Sequence, residues 1–320
     1  MSWEHLSTAD ALCRARALDA LADASGIFIG AAADHRDALK HELAKTGAQA
    51  SDADVADIKA RVAAAIAPAA SLILLDIELG APAAIARGAL PGATALVVPL
   101  EAAGYGDVAK VHESALMDGW SPAAARRMGA TACKLLLPFR VDVPDQADLQ
   151  EAVAARCATA CREAGTVLVL EPIVYRRSGE ELPAERYAEL VVAGAERLAG
   201  VDPGLLKLQH PGSADACRAL DAAVGTDTPW VLLGGGAKEE VLIAQIEAAC
   251  RAGASGFIVG RTIWSDALAA DPAEREAVLR ERARARLERL AAVARAHATP
   301  WRDRVGTPRA PGVDPYRRAG

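Results

Sequence analysis

The sequence predicts a (β/α)8 barrel, and three observations carry that prediction. Eight short apolar runs recur along the chain, each continuous rather than alternating, as strands covered on both faces require. Helical stretches separate them, and strand–helix alternation repeated eight times is best satisfied by a closed parallel barrel. The rival arrangement, a doubly wound sheet, lacks its usual mark, because no GxGxxG follows the first strand. A chain of 320 residues could form one barrel or two ordinary domains, and no segment reads as a second domain. Residues 1–298 are therefore expected to form one barrel with an extra N-terminal helix and a long C-terminal one.

Ser7 to Ala24 reads as the extra helix, with Asp10 three residues after Ser7 and Gly26 beyond its end, the usual start and stop signals. The eight strands are expected at Ile27 to Ala33, Leu72 to Asp76, Ala95 to Pro99, Cys133 to Pro138, Val167 to Glu171, Leu205 to Gln209, Trp230 to Leu233 and Gly256 to Val259. Between them lie helix patterns such as Gln146 to Glu163 and Lys238 to Arg251. Asp271 to Ala298 reads as a long charged helix, with Asp271 as its cap and Pro272 in its first turn. The tail from Thr299 to Gly320, rich in Pro, Arg and Gly, is expected to be irregular or disordered.

Composition narrows the function. The net charge is −6 and aromatic residues make up 4%, so neither the basic footprint of a nucleic-acid binder nor a base-stacking platform is in evidence. No apolar stretch approaches the roughly 20 residues of a membrane span, and the N-terminus has no signal peptide, since Glu4, Asp10, Arg14 and Arg16 interrupt it. The six cysteines include no CxxC pair, and read as buried thiols of a cytoplasmic protein.

The chemistry lies in charges set where charge is costly. Lys207 interrupts Leu205-Leu206-Lys207-Leu208-Gln209, Lys134 interrupts Cys133-Lys134-Leu135-Leu136-Leu137, and Glu171 ends Val167-Leu168-Val169-Leu170-Glu171. An ammonium in a buried strand must be neutralised or paired. A desolvated lysine near a second cation becomes a nucleophilic amine, able to form a Schiff base with a ketone. In a barrel of this kind the active site lies at the C-terminal ends of the strands, so Asp34, His35 and Arg36 after the first strand and Asp76 after the second belong with these three. Gly234-Gly235-Gly236 after the seventh strand and Gly260-Arg261-Thr262 after the eighth occupy the usual phosphate position, where glycines admit close backbone approach and Arg261 can offer a guanidinium fork. There is no GxSxG nucleophile elbow. His35, Asp76, Glu171 and His210 could in principle bind a metal, but no HxH or HExxH spacing supports that reading, so no metal is expected.

Taken together, these residues resemble the class I aldolase family that contains tagatose 1,6-bisphosphate aldolase and sulfofructosephosphate aldolase. The similarity runs from about Gly26 to Trp264. It is carried by Ala33-Asp34-His35-Arg36 with Leu39-Lys40, Leu74-Leu75-Asp76-Ile77-Glu78-Leu79-Gly80, Lys134-Leu135-Leu136, Leu170-Glu171, Leu206-Lys207 and Val259-Gly260-Arg261-Thr262-Ile263-Trp264. The resemblance implies that Lys207 is the Schiff-base lysine and that Glu171 and Lys134 serve proton transfer. It also implies that Asp34 orients the sugar and Arg261 grips a phosphate. The activity implied is cofactor-independent cleavage of a phosphorylated ketose, such as a tagatose 1,6-bisphosphate or a 6-deoxy-6-sulfofructose 1-phosphate, to dihydroxyacetone phosphate and an aldehyde. A cytoplasmic homo-oligomer acting on a small-molecule sugar phosphate is expected.

Three positions depart from the family pattern. His35 stands where the tagatose group has glutamine, Gln209 where it has an acidic residue, and Gly234-Gly235-Gly236 where it has Ser-Ala-Gly. The Asp-His-Arg and Gly-Arg-Thr-Ile-Trp forms also resemble the aldolase-like domain fused to inositol-pathway kinases, so a deoxyketonate phosphate of inositol breakdown is an alternative substrate. A metal-dependent lyase on the same barrel and a non-catalytic sugar-phosphate binding protein are further alternatives. Chelation would separate the first from the Schiff-base route, and a turnover assay the second.

Overall fold

In the computed structural model, which describes residues 3–36, 39–40, 43, 51–102, 110–269 and 271–308, the eight strands close into one parallel barrel in sequence order. They are β1 (Phe28–Ala32), β2 (Leu72–Leu74), β3 (Ala95–Pro99), β4 (Ala132–Pro138), β5 (Val167–Ile173), β6 (Leu205–Leu208), β7 (Trp230–Leu233) and β8 (Gly256–Val259). Closure is the β1–β8 pairing, with Phe28 beside Gly256 and Ala31 beside Val259. Each predicted strand is present; β3, β7 and β8 have the expected bounds, and the ends of the others shift by at most two residues. The helices begin with α1 (Thr8–Leu21), whose Ser7 cap accepts from the Asp10 N–H. Then come α2 (Asp52–Ile66), α3 (Gly80–Ala86), α4 (Pro122–Met128), α5 (Pro144–Glu163), α6 (Ala184–Ala199), α7 (Ala214–Val224) and α8 (Glu239–Ala252).

Strand parity divides the core in two. Ile29 and Ala31 of β1, Ile73 of β2 and Leu206 of β6 face the helices. Their neighbours Phe28, Ala32, Leu72, Leu74, Val97, Ala132, Val169, Leu205, Val231 and Ile258 fill the interior, because successive side chains on a strand point to opposite faces. At the underside that interior merges with Leu18 and Leu21 of α1. The runs looked continuous in sequence because both faces are buried.

After β8 the chain forms two single turns, α9 (Arg261–Trp264) and α10 (Asp266–Ala269), then the expected long helix. Its first part, α11 (Pro272–Ala277), leads through a π segment, Val278–Ala283, into α12 (Arg284–His297). Buried Leu279, Ala283 and Leu287 are spaced by four. On a 3.6-residue helix that spacing drifts off one face, and the wider π turn brings it back into line.

The tail differs from expectation at its start. Trp301–Val305 forms a short helix, α13, with Trp301 fully buried in the underside core. The Trp301 N–H donates to the Gly26 carbonyl at 3.0 Å, and Trp3 Nε1 donates to the Val305 carbonyl at 2.9 Å. A proline- and arginine-rich composition concealed one large apolar anchor. The last residues of the predicted tail, 309–320, lie outside the described residues. Trp301→Ala is expected to cost about 3–5 kcal/mol, read as a lower urea midpoint, while the residues at the opposite end of the barrel stay in place. An unchanged midpoint would show that this plug is not part of the cooperative core.

Candidate active site

Strand parity aims four ionisable side chains into the barrel mouth. Lys134 follows inward Ala132, Glu171 follows inward Val169, and Lys207 follows inward Leu205, each two residues on. The fourth, Glu101, follows Val97 and Pro99 in the same register and was missed in the sequence. Its signal is the run Val97-Val98-Pro99-Leu100-Glu101, an apolar strand ending in a carboxylate, as in the run before Glu171. All four are at most 5% exposed. Charges this deep persist only when they compensate one another.

Lys134 is the hub. Its Nζ donates to Glu101 Oε1 at 2.6 Å and to Asp34 Oδ2 at 3.1 Å, and lies 3.4 Å from Glu171 Oε2. Burial alone would lower the Lys134 ammonium, but Asp34, Glu101 and Glu171 outweigh it and raise it well above the usual lysine range. Burial likewise pushes the Asp34 carboxyl up, yet Lys134, His35 and Lys207 prevail and hold it well below the usual carboxylate range. For Glu101 burial wins over Lys134, and its carboxyl is raised. Lys134 is thus a fixed cation and Asp34 a fixed anion at neutral pH.

Lys207 does not sit directly against Lys134, as a simple pairing of cations would have it. Glu171 Oε2 lies between them, 3.0 Å from Lys207 Nζ. That oxygen is buried, and it makes no hydrogen bond among the described residues. The contacts are close in distance but misaligned, so the carboxylate is near both amines and committed to neither. These five side chains, with His35, Arg36, Gln209, Gly234, Gly235, Gly236 and Arg261, line a cavity of about 590 Å³.

The glycine loop and Arg261 form one wall. Gly235 and Gly236 both have positive φ, a backbone state that side chains disfavour, and a Cβ on Gly236 would stand 3.3 Å from Arg261 Nη2. Thr262 Oγ1 donates to the Ala237 carbonyl at 2.7 Å, tying the loops after β7 and β8 together. Among the described residues the Arg261 guanidinium makes no hydrogen bond or salt bridge, while the residue's backbone carbonyl accepts from the Ser265 N–H at 2.9 Å. A second compartment of about 530 Å³ adjoins, sharing His35, Gly235, Gly236 and Arg261.

The remaining predicted residues divide. Burial pushes the His35 imidazole down despite Asp34, with Arg261 and Lys207 adding to the effect. Its 3.9 Å approach to Asp34 is therefore a contact of a neutral ring, which also meets Trp264 edge-on at 6.1 Å. Arg36 reaches the Glu101 backbone carbonyl at 2.9 Å and Glu78 Oε2 at 3.3 Å. Asp76 is the correction. It was expected at the substrate, but it is fully buried against Lys59 of α2, and its Oδ2 accepts from the Leu79 and Gly80 N–H groups at 2.8 and 3.2 Å. The chain leaves the strand after Leu74, which turns Asp76 away from the interior to start α3. Gln209, previously only a departure from the family pattern, lines the cavity, and its Oε1 accepts from the Val174 N–H at 2.7 Å. Among the described residues, His35, Asp76, Glu171 and His210 form no group that could hold a metal ion, and no helix is long and apolar enough to cross a membrane.

Comparison with known proteins bears on the family and the fold. The model of the DeoC/LacD family aldolases matches residues 28–266. Tagatose 1,6-diphosphate aldolase 2 of Enterococcus faecalis is 28% identical over 321 aligned positions, covering 90% of this chain and 96% of that protein. Tagatose 1,6-diphosphate aldolase of Lactococcus lactis subsp. lactis is 25% identical, covering 91% and 98%. Among solved structures, fructose-bisphosphate aldolase from Plasmodium falciparum superposes with a TM-score of 0.71 at 16% identity, over 93% of this chain and 99% of that one. An archaeal fructose 1,6-bisphosphate aldolase gives 0.59 at 16% identity, over 88% and 99%. At such identities the structural likeness speaks for the fold.

Proposed function

The chain belongs to the DeoC/LacD family of aldolases, which makes it a carbon–carbon lyase, and from that premise we propose a class I enzyme that cleaves a phosphorylated ketose through a Schiff base on Lys207. The observation that carries the reading is the pairing of Lys207 Nζ with Glu171 Oε2 at 3.0 Å, where the carboxylate oxygen has no hydrogen bond among the described residues. Glu171 takes the ammonium proton, and the Lys207 lone pair adds to the ketone carbon. The carbonyl oxygen takes one proton from the amine nitrogen and the other back from Glu171 and leaves as water, so Glu171 is again a carboxylate, and the resulting iminium is the electron sink. Glu171 Oε2 next accepts the C4 hydroxyl proton while the C3–C4 electron pair flows into the iminium, releasing the aldehyde and leaving an enamine. The proton returns to C3, and water hydrolyses the iminium to free the amine and dihydroxyacetone phosphate. Lys134, kept cationic by its three carboxylates, stabilises the negative charge that develops on the substrate oxygens. Asp34 orients the hydroxyls.

The names of the relatives support a tagatose 1,6-bisphosphate-like ketose; a cytoplasmic location and a homo-oligomeric state are part of the same proposal. Borohydride in the presence of dihydroxyacetone phosphate tests the chemistry, by intact mass and peptide mapping. The adduct is expected on Lys207, and labelling elsewhere with Lys207 unmodified would end the assignment.

Arg261 is assigned the phosphate. Among the described residues its guanidinium has no hydrogen-bond or salt-bridge partner, and it lies over a loop that offers backbone N–H groups but no side chain. Arg261→Ala is expected to raise KM for phosphorylated ketoses far more than it lowers kcat, since a phosphate clamp binds ground and transition states alike. Loss of one charge-assisted contact costs about 1.5–3 kcal/mol, roughly 10- to 150-fold. Equal responses from phosphorylated and unphosphorylated ketoses would remove Arg261 from that role.

A further inference from the structure

We propose that Glu101 is a positioning residue: by holding the Lys134 ammonium it keeps Glu171 Oε2 free to take and return the substrate's proton. The inference rests on the Schiff-base reading above and deepens it. Glu101 is itself held on several sides. Its Oε1 accepts from Lys134 Nζ and its Oε2 from the Leu136 N–H at 3.2 Å, while its backbone carbonyl accepts from Arg36 Nη2.

An ammonium has three N–H donors. Two of those on Lys134 go to Glu101 and Asp34, and Glu171 Oε2, though 3.4 Å from the same nitrogen, receives none. Without Glu101, the nearest carboxylate oxygen not already accepting from Lys134 is Glu171 Oε2. A base hydrogen-bonded to a fixed ammonium must give up that bond each time it takes a proton, so its transfers slow. Attachment at Lys207 also hands a proton to Glu171 and slows with it, but the amine remains, and the amount of iminium reached at equilibrium does not depend on how fast that proton moves.

Glu101→Gln isolates the effect. Two donors converge on Glu101, Lys134 Nζ and the Leu136 N–H, and a carboxylate meets both. An amide replaces one of those two oxygens by an NH2 group, which sets a donor against a donor at one of the two positions. The experiment uses the full chain and dihydroxyacetone phosphate alone as probe. Borohydride trapping reports iminium formation, and exchange of the C3 hydrogen in D2O, followed by NMR, reports proton transfer to and from the enamine. In Glu101→Gln, the extent of trapping at Lys207 after equilibration with the probe and the half-saturating concentration of the probe are expected to stay within about threefold of wild type, while the exchange rate constant falls on the order of 10- to 100-fold, a part of what a positioned base contributes. Glu101→Asp, which keeps two acceptor oxygens, should recover part of the loss.

A wild-type protein that does not trap would sink the Schiff-base reading and this inference with it. Wild type that traps without exchanging, or a Glu101→Gln protein that exchanges normally, would overturn the inference alone. So would parallel loss of trapping and exchange, which is how a merely structural residue behaves. If Glu101→Gln fails to fold, Glu101→Asp decides: intact trapping with slowed exchange supports the role, and unchanged exchange refutes it.

Discussion

Lys207→Ala is expected to abolish both borohydride trapping with dihydroxyacetone phosphate and ketose cleavage, with the loss in turnover on the order of 10⁶-fold, as when the nucleophile of a catalytic unit is removed. The size follows from what the amine does. Without an iminium, the electron pair of the breaking C–C bond must reside on an enolate in a cavity already holding Asp34, Glu101 and Glu171. No other lysine of the cavity can substitute, because Lys134 is held as a cation by hydrogen bonds to Asp34 and Glu101, and a protonated amine has no lone pair to attack with. The variant also leaves Glu171 with one fewer cation, so its thermal stability should be measured alongside. Near wild-type cleavage by a folded Lys207→Ala protein would show that the reaction is not iminium-based.

Glu171→Gln should separate attachment from bond cleavage. The amide cannot take a proton from the C4 hydroxyl, and loss of a positioned acid–base group typically costs about 10²- to 10⁴-fold. Lys207 remains, so trapping should persist, although more slowly because the acceptor for its proton is gone. The expected pattern is a trapped adduct at Lys207 with kcat strongly reduced. Equal, complete loss of both would mean that Glu171 mainly keeps two buried ammonium groups apart, and unaltered kcat would move the base elsewhere.

The barrel was legible because burial on both faces leaves a distinctive trace: uninterrupted apolar runs with a charge where water cannot reach. Lys134, Glu171 and Lys207 stood out for that reason, and parity then predicts that they share the interior. Glu101 obeys the same parity, but Pro99 and the loop beyond it blur the strand's end in sequence. Asp76 shows the limit of the rule. It too lies two residues past an inward leucine, Leu74, yet the strand ends there and its partner Lys59 comes from a helix seventeen residues earlier. Long-range pairing of that kind leaves no local pattern. The π segment and the Trp301 anchor were hidden similarly, one by a helix that reads as regular and the other by a tail whose composition suggests no core at all.

That anchor bears on how the protein is made. The interior floor is formed by the first helix and by Trp301, near the end of the chain. A ribosome builds the polypeptide from its first residue onward, so all eight strands emerge before the residue that seals them. For that interval the nascent barrel carries an open apolar well beneath it. Any message cut short before the codon for Trp301 would yield a product with every residue of the mouth and only the first helix for a floor, a species for chaperones and proteases rather than for metabolism.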